Sequence, residues 1–175
     1  MEFEKNKFFD RRLEKAPVLG FLSSGEKVFD RPNSHIHDDI DSIILTEALG
    51  NIDADGRDFI AESVDLGRTI GKTQCIETSE NDEIIYAHRV GRFGPTRFVK
   101  NRDKVDTSTV TIILKKASEG FILVTAFVGP KAEREPWDKN IIDSAEKSRS
   151  ESFWQNHALV WDGKNIIPGS EKKQQ

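Results

Sequence analysis

Thr107-Ser108-Thr109-Val110-Thr111-Ile112-Ile113-Leu114 and Phe121-Ile122-Leu123-Val124-Thr125-Ala126-Phe127-Val128 are the two segments on which the fold turns. In the first, Thr107, Thr109, Thr111 and Ile113 alternate with Ser108, Val110, Ile112 and Leu114. A strand of that period has one hydroxyl-bearing face and one largely apolar face. Ala117-Ser118-Glu119-Gly120 reads as the turn between them, and Gly129-Pro130 ends the return strand. Thr125 interrupts an otherwise apolar strand, and a hydroxyl in that position has to find a partner.

Upstream of this hairpin, Arg68 to Thr78 and Glu83 to Val90 also show a period near two. Ser79-Glu80-Asn81-Asp82 between them has the composition of a hairpin turn. Gly91, Gly94 and Pro95 break the chain, and Thr96 to Lys100 resumes it. Further back the period lengthens. Ile40, Ile43, Ile44 and Ala48 lie at helical spacing behind a start at Pro32-Asn33-Ser34, with Gly50 at the C-terminal cap position. A short charged helix over residues 3–14 and a second short helix over residues 56–63 complete the expected N-terminal portion. Ala16 to Phe29 reads as irregular or strand-like around a turn at Ser23 to Glu26. Downstream, Ile141 to Gln155 has helical character, Ala158 to Trp161 closes the sheet, and residues 170–175 form a frayed tail. These elements predict an α+β domain, with N-terminal helices packed on a four- to five-stranded antiparallel sheet. Residues 1–66 form the helical portion, 67–168 the sheet core and 169–175 the tail, within one compact domain.

At 175 residues with 36% hydrophobic side chains, eleven Phe and three Trp, the chain can bury a substantial core. The net charge of -4 and a pI near 5.6 argue against a general nucleic-acid coat protein. They leave room for a local basic face. Cys75 is the only cysteine, so no intrachain disulfide can form and a reducing compartment fits. Met1 to Lys7 is charged with no apolar stretch after it, which predicts no secretory signal. No apolar run approaches membrane-spanning length, so a soluble cytoplasmic protein is expected.

Against this acidic background, Tyr86 to Lys104 reverses sign. It holds His88, four arginines and two lysines, interleaved with Tyr86, Phe93 and Phe98, against a single acid, Asp103. Arg92 and Arg97 flank the Gly-Pro break, where both can point into one concavity, and His88 stands just before it. A titratable imidazole beside permanent cations is suited to binding a phosphodiester and moving a proton on it. A solvated strand edge would carry the same charges, because basic residues discourage edge-to-edge pairing. His157, beside Gln155 and Asn156, is a second titratable group or a helix-capping histidine. His35, His37, Asp38, Asp39 and Asp41 carry ligand-capable atoms without a paired metal-ligand spacing, so no metal site is assigned. Gly71-Lys72-Thr73 lacks the earlier glycine of a phosphate loop, and Cys75 has no base adjacent in sequence.

The ordered set His88, Arg92, Arg97, Lys100, then Thr109, then Leu123-Val124-Thr125-Ala126-Phe127, resembles the barnase–EndoU–colicin–RelE-like ribonuclease superfamily of phage- and toxin-related proteins. The resemblance covers roughly residues 65–161. It implies a helical N-terminal portion before a four-stranded antiparallel sheet, and RNA cleavage that needs neither metal nor cofactor. Such cleavage takes a base for the 2′-hydroxyl, cations for the phosphorane and an acid for the 5′-oxygen. On that likeness His88 is the base or acid, Arg97 and Thr125 complete the catalytic set, and Arg92, Lys100 and Thr109 hold substrate. His157 is placed as the second proton-transfer group on its chemistry, and Trp154 as a base-stacking ring. RNA and a cognate inhibitor protein are the implied partners. The alternative is a non-catalytic module of the same fold that binds protein or nucleic acid. A nucleotide-cofactor transferase built on Arg92, Thr107 to Thr109 and Glu133 or Glu135 ranks last.

Overall fold

The computed structural model describes residues 16–30, 35–36 and 40–173. These fall into two compact units. One is drawn from Met1–Gly71 with Asp106–Lys131, the other from Lys72–Val105 with Ala132–Gln175. Neither unit is continuous in sequence.

The first unit is built around the segments quoted above. β10 (Thr109–Ala117) and β11 (Gly120–Val128) form the expected antiparallel hairpin. The sheet extends in the order β1 (Val18–Phe21), β2 (Lys27–Phe29), β11, β10, β4 (Phe59–Asp65), with β3 (His35–Ile36) also paired to β11. Gly120 starts β11 at φ +150°, and a Cβ there would collide with the Lys27 carbonyl, so only glycine fits the turn. Register slips between Ile113 and Leu114, leaving Val124 unpaired as a bulge. This explains why Phe121 and Leu123, then Ala126 and Val128, all enter the core, although strict alternation would turn the second pair outward. The apolar face of β10 (Val110, Ile112, Leu114) packs in one cluster with Leu45, Ala48 and Leu49 of helix α1 (Ser42–Leu49). The Asp41 carboxylate caps α1 by accepting from Ile44 N–H at 2.8 Å.

The second unit holds a five-stranded sheet in the order β13 (Lys172–Lys173), β7 (Ile84–His88), β8 (Pro95–Val99), β12 (His157–Val160), β6 (Cys75–Glu77). Helix α2 (Ser144–Asn156) precedes β12, and Asp143 caps it by accepting from Glu146 N–H at 2.7 Å. β5 (Gly71–Thr73) and β9 (Val105–Thr107) pair as a two-stranded ribbon where the chain passes between units.

The architecture corrects the expected fold class. Six-, five- and two-stranded sheets dominate, with two helices among the described residues, rather than N-terminal helices packed on one antiparallel sheet. Nor are the sheets purely antiparallel, since β2 and β3 run parallel to β11, and β8 runs parallel to β12. The helix expected over residues 56–63 is replaced by strand β4, which pairs with β10 from Asp65↔Thr109 to Phe59↔Lys115. The helix expected from Pro32 begins at Ser42, and His35–Ile36 is strand. Ser79 to Asp82 joins two strands that are not neighbours, because β6 pairs with β12 and β7 with β8. Lys172 and Lys173 of the expected tail pair with β7. The helix expected over residues 3–14 lies outside the described residues. Among those residues no helix is long and apolar enough to cross a membrane.

Candidate functional site

Strand alternation divides the basic stretch between two faces of the second sheet. Ile85 and Ala87 are buried on one face, in a cluster with Phe98 and against Leu159, Trp161 and Ile166. Tyr86 and His88 point the opposite way, and their partners across the ladder are Arg97 and Pro95. Each face carries a cavity.

On the Phe98 face is a polar pocket of about 300 Å³, lined by Gln74, Arg89, Val90, Arg92, Phe98, Leu159, Asp162, Lys164 and Asn165. Two tight turns build its rim. Gly91, at φ +79°, lets the β7–β8 loop fold so that Arg92 N–H donates to Arg89 O at 3.2 Å. Opposite, the Asp162 carboxylate accepts from Lys164 N–H at 2.9 Å, and Val90 N–H donates to Asn165 O at 2.8 Å. Four cations of this unit have a counter-ion: Arg102 with Asp82 at 3.1 Å, Lys100 with Glu171 at 3.4 Å, Arg134 with Glu146 at 2.8 Å, and Arg89 with Glu135. Among the described residues, Arg92 and Lys164 have no such carboxylate partner. Phe93, the next residue after Arg92, is 71% exposed, with Lys139 Nζ 3.6 Å from the centroid of its ring.

On the other face is a cleft of about 580 Å³ between the sheet and α2. Its walls are Tyr86, Pro95, Pro136, Trp137 and Trp154, with Arg97, Glu135, Lys147, Glu151 and Gln155 as its polar lining. Trp137 is fixed on three sides. Its indole N–H is shared between Pro95 O and Glu135 Oε2, both at 3.0 Å, and its ring lies against buried Gly94, where a Cβ would fall within the ring. Glu135 is itself held by Arg89 and by Thr96, whose hydroxyl is 2.8 Å from Oε2.

The sequence-derived site residues separate as follows. Arg97 and Trp154 meet in the cleft, while Arg92 lines the polar pocket. Lys100 is paired with Glu171 and sits 5.3 Å from the Trp161 ring centroid. The His157 imidazole stacks on Phe153 at 3.9 Å and shares a hydrogen bond with Phe153 O. His88 is half-buried on the cleft face of β7, and neither histidine lines either cavity. Thr125 and Thr109 belong to the other unit. There the hydroxyl face serves packing. Lys131 N–H donates to Ser63 Oγ, Ser63 bonds Thr111 Oγ1 at 2.9 Å, and Thr111 donates to Gly129 O at 2.7 Å. His37 to Asp39 lie outside the described residues.

No family model matches the chain, and no curated protein or solved structure shows significant similarity to it. Roles therefore rest on geometry. Sequence reasoning passed over Tyr86 as a wall, Glu135 as an anchor, Trp137 and Glu151. The available signal was the tetrad Arg134-Glu135-Pro136-Trp137, where an aromatic ring and a proline interrupt a solvated charge run.

Cys75, in β6, is not poised for chemistry. Burial, reinforced by the negative charge of Glu135, pushes its thiol up to about 11. Alkylation by iodoacetamide at pH 8 is expected to run on the order of a hundredfold slower than for an exposed cysteine peptide, because thiolate is scarce. The native state holds this proton more tightly than the unfolded chain. The thiol's contribution to stability is therefore intact below the unfolded pKa and is lost as pH rises through about 11. Reaction at the peptide's rate would show that the thiol is not buried in solution.

Proposed function

We propose that the protein is a cytoplasmic nucleic-acid-binding module whose second unit holds single-stranded RNA at the polar pocket without cutting it. One observation carries the reading: Arg92 and Lys164 line one polar pocket of about 300 Å³, and neither is ion-paired among the described residues. Both side chains are exposed, so on a protein of net charge -4 their positive charge is available to a polyanion. Exposed Phe93 beside Arg92 offers a ring face for an unstacked base, a contact of about 1–3 kcal/mol in single-strand recognition. A chain with one cysteine and no disulfide suits a reducing cytoplasm.

The non-catalytic form of the reading is favoured over ribonuclease chemistry by where the two imidazoles lie. Acid–base cleavage needs a proton acceptor and a donor within hydrogen-bond reach of one phosphate. His157 is stacked on Phe153, and His88 emerges from the sheet on the face opposite Phe98, which lines the cation pocket.

Titration of a fluorescein-labelled single-stranded RNA, followed by anisotropy at several salt concentrations, tests the proposal. Binding is expected to weaken linearly on a log–log salt plot, and Arg92→Ala is expected to reduce that slope by about one. No binding at low salt, or binding unchanged by Arg92→Ala with Lys164→Ala, would overturn it. The same RNA incubated with chelator is expected to stay intact. Cleavage that disappears in His88→Ala would restore the enzymatic reading.

A further inference from the structure

We propose that the aromatic cleft is a second and separate binding site, which takes an extended, proline-containing peptide segment of a protein partner. Tyr86 and Arg97 of the cleft lie on the face of the sheet opposite Phe98 of the cation pocket, and the Arg89–Glu135 ion pair stands between the two linings. Their chemistry also differs. Two cations, Arg97 and Lys147, and two carboxylates, Glu135 and Glu151, line the cleft, so it presents no excess of positive charge to a polyanion. Its walls are three aromatic rings and two prolines, a surface that a rigid apolar ligand can cover.

The polar groups then select among apolar ligands. Tyr86 Oη and the Gln155 amide have no hydrogen-bond partner among the described residues. Arg97 uses one terminal nitrogen, on Thr78 Oγ1 at 3.1 Å and His157 O at 3.0 Å, which leaves its other N–H groups to donate. The open valences are thus mostly donors. A polyproline II segment is the complementary ligand, because its carbonyls have no internal partners and its prolines contribute no N–H. Glu151, on exposed helix surface at the cleft edge, is the cleft carboxylate without an ion pair among the described residues, and it suits an arginine flanking the prolines. The wall is preformed: Trp137 is pinned by Pro95, Glu135 and Gly94, and Trp154 Nε1 donates to Glu133 O at 3.0 Å. A rigid groove meeting a rigid ligand avoids much of the ordering cost of association.

The test uses the whole chain and a labelled ten-residue peptide with a Pro-x-x-Pro core followed by Arg, its Pro→Ala version, and a version with Glu in place of Arg. Saturable anisotropy is expected for the first, with weaker binding when the prolines are removed. Tyr86→Phe is expected to weaken it by about fivefold through one lost hydrogen bond. Glu151→Lys should reverse the preference, so that the Glu peptide binds better than the Arg peptide. Because Glu151 is exposed, that variant should fold normally, which far-ultraviolet circular dichroism checks. The proposal is overturned by absent peptide binding with wild-type fold intact, by equal binding of proline and alanine peptides, or by an Arg/Glu preference that Glu151→Lys leaves unchanged. Competition by RNA for the bound peptide would also sink it, by showing that the cleft belongs to the nucleic-acid surface. Loss of RNA binding in Arg92→Ala with peptide binding retained would separate the two sites.

Discussion

Glu135→Ala is expected to destabilise the second unit by about 3–5 kcal/mol, the usual cost of removing one member of a buried ion pair. The Glu135 side chain is 9% exposed and its partner Arg89 27%. The carboxylate takes hydrogen bonds from Arg89, from Thr96 Oγ1 at 2.8 Å and from Trp137 Nε1 at 3.0 Å. Truncation leaves a half-buried guanidinium without its counter-charge and frees the Trp137 indole from one of its two acceptors. Urea unfolding followed by tryptophan fluorescence reads the loss. Glu135→Gln keeps an acceptor without the charge and should fall between the two. Arg89→Met combined with Glu135→Leu removes both charges together, and is expected to recover much of the stability lost by Glu135→Ala. A single-variant loss under about 1 kcal/mol would mean that water reaches the pair and that the carboxylate does not anchor the cleft wall.

The β10–β11 hairpin and strand β4 show what the sequence could and could not disclose. The β10–β11 hairpin was legible because its alternation is local and its turn residues lie between its strands. β4 was not. Ile60 and Val64 stand four apart, a spacing that serves a helix and a strand equally, and Ala61 and Glu62 favour helix. What decides for strand is β10, whose Thr111 pairs with Ser63 across 48 positions of chain. The mistaken hairpin at Ser79 to Asp82 has the same origin, since the partner of β6 is β12, with Ala158 opposite Ile76. Turn composition reports that the chain turns, not which strand it will lie beside.

The placing of the candidate site residues was hidden from the sequence for a related reason. Tyr86 to Lys104 is rich in cations, but along a strand neighbouring residues face opposite ways. Arg97 therefore enters the aromatic cleft, while Arg92, on the turn beyond, enters the polar pocket. Counting charges along the chain could not divide them. Lys100 and Arg102 were legible as basic, but their neutralisation by Glu171 and Asp82 depends on residues 71 and 20 positions away. Trp154 lines the cleft. Its indole N–H already donates to Glu133 O, so it serves as a fixed wall.

Phe98→Ala is expected to cost about 3–5 kcal/mol, at the level of other large-to-small changes in a closed core. Phe98 is 2% exposed and clusters with Ile85 and Ala87, with Leu159, Trp161 and Ile166 packed against them. Trp161 meets its ring edge-on at 5.1 Å and 89°, a favoured aromatic geometry. β8 is central to the sheet, bonded to β7 on one side and β12 on the other, so little backbone freedom remains to close the void. Phe98→Leu refills most of the volume and should cost clearly less. Phe98 also lines the polar pocket that Arg92 and Lys164 enter, and this makes the variant informative about binding. At a temperature where Phe98→Ala remains folded, RNA affinity should fall while the salt slope stays near the wild-type value, because no phosphate contact has been removed. Arg92→Ala should do the reverse and lower the slope at nearly unchanged stability. Should both variants change slope and stability together, the pocket floor and its cations would not be separable, and the affinity would have to be assigned to the packing of the whole face.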